Sequence, residues 1–144
     1  MKKIFPFILT ALSLCAAFGT SAFAGDLEDL AGKWSVNKTN ENGQPYTQAL
    51  EFKKDKFTFK IAGGGKVYLY AQGDVKVDKL GPFKSIKFFN IKAGQSTDDL
   101  QPVEDERTVI YRLQDNKFTV ANNFDRERDQ GPAAEVYVKT SRAD

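Results

Sequence analysis

The chain has 144 residues, of which 41% are hydrophobic and 28% charged, a length and composition that suit one globular domain. Its formal charge of +2 comes entirely from Lys2 and Lys3, so the rest of the chain is neutral, which argues against binding to nucleic acid. The chain contains no histidine and one cysteine, which excludes Ser-His-Asp and Cys-His catalytic arrangements. No pattern in the sequence indicates a metal site or a cofactor.

The N-terminal segment 1–24 has the pattern of a signal peptide. Two lysines precede an apolar run from Ile4 to Phe18, and a small-x-small cleavage site ends at Ala24. The only cysteine, Cys15, lies inside this run and follows a leucine, which does not fit lipoprotein processing. We therefore expect cleavage after Ala24 and no stable membrane anchor. The mature domain, residues 25–144, then has no disulfide and is periplasmic or secreted.

Beyond this leader, alternation of apolar and polar residues predicts eight β-strands. A helical turn over residues 25–30 leads into the first strand, which begins with the only tryptophan, Trp34. Gly73 interrupts the long fourth strand, where we expect a bend or bulge, and the fifth strand is apolar on both faces, which calls for a bulge or a covering segment. The predicted strands are 34–37, 50–53, 57–61, 67–77, 83–91, 107–113, 118–120 and 136–138.

Mostly short turns join these strands, as in an antiparallel meander. Closing a meander removes its exposed edges. The predicted fold is therefore all-β: an eight-stranded antiparallel meander closed into a barrel. A barrel of this size is just wide enough either to be filled by its own side chains or to hold one small ligand.

Two polar stretches interrupt the strand pattern, residues 93–106 and residues 122–132. Such stretches predict exposed loops, which often carry function but also simply keep a surface hydrated. At the rim of a barrel they provide a surface for a protein partner. The first loop also contains carboxylates of the kind that a glycosidase uses, and these are Asp98, Asp99, Glu104 and Glu106.

Three short segments make the chain resemble small secreted lipocalin-like (calycin-type) β-barrel domains of unassigned function. They are Leu30-Ala31-Gly32-Lys33-Trp34, the turn Asn42-Gly43 and Tyr111-Arg112-Leu113. The resemblance implies a barrel closed at Gly32 and Trp34 by a basic side chain of the last strand, Lys139 or Arg142, packed on the indole. It also implies a small molecule held inside.

We therefore expect a binding protein rather than an enzyme, with a small apolar ligand inside the barrel. The side chains expected to line the ligand are Trp34, Phe52, Phe57, Phe59, Phe88 and Phe118. The competing interpretation is that these side chains fill a solid core. Two other functions remain open: a protein-interaction or inhibitor module that acts through loops 93–106 and 122–132, and a carboxylate-based hydrolase.

Overall fold

A computed structural model describes residues 24–141, which form one short helix and one antiparallel sheet. The elements are α1 (Ala24–Leu30), β1 (Gly32–Thr39), β2 (Pro45–Lys53), β3 (Lys56–Gly63), β4 (Lys66–Leu80), β5 (Phe83–Gly94), β6 (Gln101–Pro102), β7 (Arg107–Gln114), β8 (Lys117–Asn122) and β9 (Ala133–Ser141). Apart from Ala24, the predicted signal peptide lies outside the described residues, as does Arg142. Within the described range, α1 spans seven residues, and no helix there has the length and apolarity needed to cross a membrane.

The sheet closes on itself. Strands β1 to β5 pair in chain order, β5 continues to β7, β8 and β9, and β9 pairs with β1. Eight strands thus form a closed antiparallel barrel, which confirms the predicted fold class. The two-residue β6 is an addition: it lies in the stretch predicted as a loop and folds back on the end of β5.

A bulge bends β4 and β5 beside Gly73. The pairing of the two strands shifts register at this glycine, and the facing Asn90 has a φ of 50°. Before the shift the even-numbered residues of β5 point into the barrel, and after it the odd-numbered ones do. Ile86 and Ile91 are therefore both buried. The predicted bulge is therefore confirmed, and it explains why both faces of this strand are apolar in the sequence.

Trp34 fills one end of the barrel. Its side chain is 1% exposed, and its indole Nε1 donates a hydrogen bond of 2.7 Å to the carbonyl oxygen of Leu30, the last residue of α1. The ring centroids of Trp34 and Phe118 lie 5.6 Å apart, and those of Phe118 and Phe52 lie 5.8 Å apart. On the strand that closes the barrel, Lys139 Nζ lies 5.1 Å from the centroid of the indole. We call this region, with α1 across it, the closed end.

Tyr111 brings a hydroxyl group into the closed end without a hydrogen-bond partner among residues 24–141. Burial, together with the nearby charges of Asp26 and Asp29, raises the pKa of Tyr111 to about 12 from its ordinary value of 10.0. The folded state therefore disfavours the phenolate, so the free energy of unfolding is constant below pH 10 as far as this group is concerned and falls as the pH rises from about 10 to about 12.

We expect Tyr111→Phe to reduce this alkaline loss and to raise the free energy of unfolding at pH 7 by up to about 1 kcal/mol, because it removes an unpaired buried hydroxyl. Urea unfolding at pH 7 and pH 11 measures both effects. Tyr68→Phe, at an exposed side chain, is the control and should change neither value. Equal pH dependence in the wild type and Tyr111→Phe would contradict the prediction.

Candidate functional site

The other end of the barrel contains a cavity of about 1250 Å³ that opens to solvent. Its mouth is ringed by the β1–β2 turn, by Tyr68 and by the loop 122–132. Its floor is formed by Leu50, Phe57 and Val120, which pack against the closed end. The barrel is thus solid at one end and hollow at the other. The hollow part is large enough for a small molecule, whose sites commonly measure roughly 300–1,000 Å³.

Small side chains on β4 and β5 help to explain why the cavity lies at this end. Ala71 and Ala93 face each other across the two strands, and both line the cavity. In the closed end the corresponding inward positions carry Val77 and Ile86, which face each other and are buried. The methyl groups of the two alanines leave space that larger side chains fill elsewhere.

The structure divides the six aromatic side chains expected to line a ligand into two groups. Phe57, Phe59 and Phe88 line the cavity, with the rings of Phe57 and Phe88 edge to face at a centroid distance of 4.9 Å. The other three pack on one another in the closed end and are at most 1% exposed, and these are Trp34, Phe52 and Phe118. The ligand-lining interpretation and the solid-core interpretation therefore each describe part of the barrel, because three of the rings fill a core and three face a cavity.

The residues expected to close the barrel lie at the closed end as far as the structure describes them. Gly32 begins β1 with a φ of 120°, is buried and pairs with Phe52. Lys139 extends over Trp34, with which it is also paired across β9 and β1. Arg142 lies outside the described residues.

One wall of the cavity is continuously apolar. It is built by the adjacent strands β3, β4 and β5, and its larger side chains are Phe59, Ile61, Leu69, Phe88 and Ile91. Several of these side chains are only half-buried, since they face the cavity rather than other side chains. Apolar surface of this kind gains about 25 cal/mol per Å² when it is removed from water, so it favours an apolar occupant.

The opposite wall carries a connected set of polar side chains from β8, β9, β1 and β2. The members of this polar cluster are Lys38, Gln48, Asn122, Glu135 and Tyr137. The hydroxyl oxygen of Tyr137 lies 3.0 Å from Gln48 Oε1 and 3.1 Å from Glu135 Oε2. A phenol has one proton to donate, so it donates to one of these oxygens at a time, unless the Gln48 amide turns and donates to the phenol.

The electrostatics of the polar cluster centre on Glu135. Its carboxylate accepts from Lys38 Nζ at Oε1, and at Oε2 from Asn122 Nδ2 at 3.3 Å. Tyr137 is 4% exposed, and burial, followed by the charge of Glu135, raises the pKa of its hydroxyl above the ordinary value. Tyr137 therefore remains neutral and available as a hydrogen-bond donor over the physiological pH range.

Two buried polar atoms that line this end of the barrel have no hydrogen-bond partner within residues 24–141. They are the amide oxygen Oδ1 of Asn122 and the guanidinium Nε of Arg128. Asn122 is held with its Nδ2 toward the Glu135 carboxylate, which can only accept hydrogen bonds when ionised. This fixes the orientation of the amide and leaves Oδ1 as an unused acceptor.

The polar cluster was missed in the sequence, although the strand periodicity contains it. Inward positions recur at every second residue, so Trp34 and Val36 are followed by Lys38. In β8, Phe118 and Val120 are followed by Asn122 in the same way. Extending the alternation of these two strands by one step toward the mouth finds Lys38 and Asn122, whereas in β9 the valines Val136 and Val138 point outward and the alternation of apolar residues misses Glu135 and Tyr137.

The cavity thus has an amphipathic lining, with the apolar wall facing the polar cluster. Comparison of the chain with known protein families, curated proteins and solved structures finds no match in any of them. The arrangement suits a molecule with an apolar body and a small polar group, the first against β3–β5 and the second against β8–β9–β1–β2.

The two rim loops meet at the mouth and are joined by ion pairs. Arg128, whose side chain is 10% exposed, pairs with Asp125 in its own loop and with Asp105 in the other, and its Nη2 donates to the carbonyl oxygen of Glu106 at 3.2 Å. Burial by itself would raise the pKa of the Asp125 carboxyl. The carboxylate also accepts hydrogen bonds from Arg128 and from the backbone amide of Thr108, and it is attracted by the charge of Arg128. These effects outweigh burial, so the pKa of Asp125 is lowered. The charges of this rim therefore largely neutralise one another.

The acids considered for hydrolase chemistry lie outside the cavity. Asp98, Asp99, Glu104 and Glu106 are all exposed and do not belong to the cavity lining. Glu106 lies 2.5 Å from Lys87 Nζ on the outer surface. In the described part of the chain, no three His, Cys, Asp or Glu side chains lie close enough together to hold a metal ion.

Proposed function

We propose that this protein is a binding protein without catalytic activity, which holds one small, mainly apolar molecule in the barrel. The observation that carries the proposal is the continuous apolar wall of β3, β4 and β5, which faces an open cavity of about 1250 Å³. A ligand that covers this wall removes apolar surface from water on both molecules, which is the main driving force for small-molecule binding.

We further propose that the domain is of the lipocalin-like, calycin type and works in the periplasm or outside the cell. The closed eight-stranded barrel and the contact of Lys139 with Trp34 support the first part. The lysines, apolar run and cleavage pattern of residues 1–24 support the second. A carrier in this compartment meets ligands that have left a membrane or entered from the medium.

Two observations favour a binding role over the alternatives. The chain has no histidine, and the four acids considered for hydrolase chemistry, which are Asp98, Asp99, Glu104 and Glu106, lie away from the cavity; both facts favour binding without catalysis. The charges of the two rim loops pair with one another through Arg128. Charges that are already paired offer less to a protein partner, so the rim is better suited to shaping the mouth than to recognising a protein.

We expect Ala93→Trp to weaken binding of a neutral apolar dye, N-phenyl-1-naphthylamine, by at least about tenfold, because the indole would occupy the space beside Ala71. Dye fluorescence on titration measures the affinity. The emission of Trp34 is not a suitable readout, because that side chain lies in the closed end rather than against the cavity.

Val138→Trp is the matched control, because Val138 is on the outer surface and 51% exposed. It adds the same indole outside the barrel and should leave the dye affinity unchanged. Equal affinities in the wild type and both variants would show that the dye binds outside the cavity and would contradict the proposal. Both changes lie in strands, β5 and β9, and leave the paired rim charges of Asp105, Asp125 and Arg128 in place. A function carried by those charges would therefore survive both.

A further inference from the structure

The neutral overall charge of residues 25–144 conceals a separation of charge along the chain. Residues 51–92, which run from the end of β2 through most of β5, contain ten lysines and four acidic residues. Residues 93–141 contain six basic and ten acidic residues. Because β2, β3, β4 and β5 are neighbours in the sheet, the excess of lysine is concentrated on one side of the barrel.

Five of these lysines lie on the outer side of the adjacent strands β3, β4 and β5, and we call this surface the basic face. Their positions follow from the alternation of each strand. Lys76, for example, lies between Val75 and Val77, whose side chains are buried in the core. The lysines of the basic face are Lys56, Lys60, Lys76, Lys87 and Lys92, and the same surface carries Tyr70 and Phe89.

Two pairs of lysines on this side of the barrel face each other directly across neighbouring strands. Lys76 is paired with Lys87 across β4 and β5, and Lys53 is paired with Lys56 across β2 and β3. Like charges in directly opposite positions destabilise a sheet. The basic face therefore retains an electrostatic repulsion that an external anionic surface would relieve.

The protein neutralises the basic face in part. Asp74 pairs with Lys56, Glu106 pairs with Lys87, and Asp78 lies further along the outer side of β4. The other three lysines of the face are exposed and form no ion pair in the part of the chain that the structure describes, and these are Lys60, Lys76 and Lys92. The face therefore keeps an excess of positive charge.

At the mouth of the barrel the basic face ends in exposed apolar side chains. In the first residues of β4, Val67 is 41% exposed and Tyr68, which rings the mouth, is 54% exposed. Lysines next to apolar and aromatic side chains are typical of surfaces that bind at the interface of an anionic membrane. A single nucleic-acid strand would instead stack its bases on open rings, whereas Tyr70 and Phe89 are half-buried among the lysines.

We propose that the basic face docks the barrel reversibly on the surface of an anionic phospholipid membrane. Lys60, Lys76 and Lys92 then lie within a Debye length of the lipid phosphates, and Val67 and Tyr68 bring the mouth close to the head groups. This docking goes beyond the ligand binding proposed above. Of the earlier proposals it uses only the compartment, where a membrane is the anionic surface at hand.

Binding of the purified wild-type protein to vesicles tests the proposal. Co-sedimentation compares vesicles of phosphatidylcholine, which has no net charge, with vesicles of an equal mixture of phosphatidylcholine and anionic phosphatidylglycerol. We expect the affinity for the anionic vesicles to be higher by at least about tenfold, since each lysine near such a surface contributes about fivefold. Raising the ionic strength from about 0.1 M to about 1 M should abolish this preference, because the Debye length shortens from about 10 Å to about 3 Å.

Two triple variants with the same net charge assign the preference to one surface. The basic-face variant Lys60→Gln/Lys76→Gln/Lys92→Gln should lower the affinity for anionic vesicles by at least about tenfold. The control variant Lys33→Gln/Arg112→Gln/Lys117→Gln removes three charges from exposed positions of β1, β7 and β8 and should stay within about threefold of the wild type. Any contribution of residues 1–24 is common to both variants. Melting curves followed by circular dichroism show that both are folded, and the comparison of vesicles and salt on the wild type does not depend on either variant.

Three results would overturn the proposal. Equal losses in the two triple variants would show that total charge, rather than the basic face, governs binding. Equal affinity of the wild type for the two kinds of vesicle would show that the contact is not electrostatic. Binding of a labelled single-stranded oligonucleotide without binding of anionic vesicles would assign the face to nucleic acid. Neither triple variant changes a residue that lines the cavity, so dye binding measures the proposed ligand-binding function separately.

Discussion

Replacing Trp34 with alanine is expected to lower the free energy of unfolding by about 3–5 kcal/mol. The indole is 1% exposed and packs against Phe118. Because the ring is fully enclosed, its removal leaves a large void. The variant also leaves the carbonyl oxygen of Leu30 without the donor that now lies 2.7 Å away. Lys139 loses the ring over which it lies. Thermal unfolding should show a melting temperature lower by about 10–20 °C.

Two control variants separate the contributions of this side chain. Trp34→Phe keeps a ring beside Phe118 but loses the hydrogen bond to Leu30, so its stability should lie between those of the wild type and Trp34→Ala. Val138→Ala changes an exposed outer position and should alter the free energy of unfolding by less than about 0.5 kcal/mol. A cost for Trp34→Ala no larger than that for Val138→Ala would show that the closed end does not depend on the indole.

The barrel could be predicted from the sequence because its decisive signals are local. Alternation with a period of two marks each strand, and the turn residues between strands mark hairpins, so a meander follows. Gly73 and the two apolar parities of β5 even located the bulge. The strand β6 carried no such signal, because it has two residues and pairs through only Lys92 and Ala93.

The site was harder to predict, since it depends on which face of a strand points inward. In β9 the two valines, Val136 and Val138, are exposed, while Glu135 and Tyr137 point into the barrel. Hydrophobicity alone favours the opposite arrangement. The register with β8 and β1 decides the question, and register is a property of paired strands rather than of one segment.

The same limit applies to the division between core and cavity. The six aromatic side chains look equivalent in the sequence, yet Trp34 and Phe118 fill the closed end, whereas Phe59 lines the cavity. Their position along the barrel axis separates them. That position follows from the pairing of all the strands together, which no single strand encodes.

The loops also differ from what their composition suggests. The polar stretch 122–132 predicts an exposed loop, but the side chain of Arg128 is largely buried and connects this loop to Asp105 in the other. Charge patterning identifies which side chains are able to pair, and only the fold determines that the two loops meet at one end of the barrel. The contact between the two loops at the mouth thereby joins residues 23 positions apart in the chain.

Gly73→Val is expected to destabilise the barrel by about 3 kcal/mol or more, because the bulge leaves no space for a side chain. A Cβ atom at this position would lie 2.7 Å from the carbonyl oxygen of Phe89 and 2.9 Å from Cε1 of Phe57. The first of these is backbone, which cannot move without separating β4 from β5.

Urea unfolding of Gly73→Val measures the loss, with Gly131→Ala as the control, since a Cβ at Gly131 meets no atom within 4 Å. We expect that control to change the free energy of unfolding by less than about 0.5 kcal/mol. Because Phe57 forms part of the cavity floor and contacts Phe88, any Gly73→Val protein that folds should also bind the dye more weakly. Equal stability of the two variants would mean that β4 and β5 accommodate a side chain at the bulge. The close approach of the strands at Gly73 would then not be what bends the barrel or positions Phe57 in the floor of the cavity.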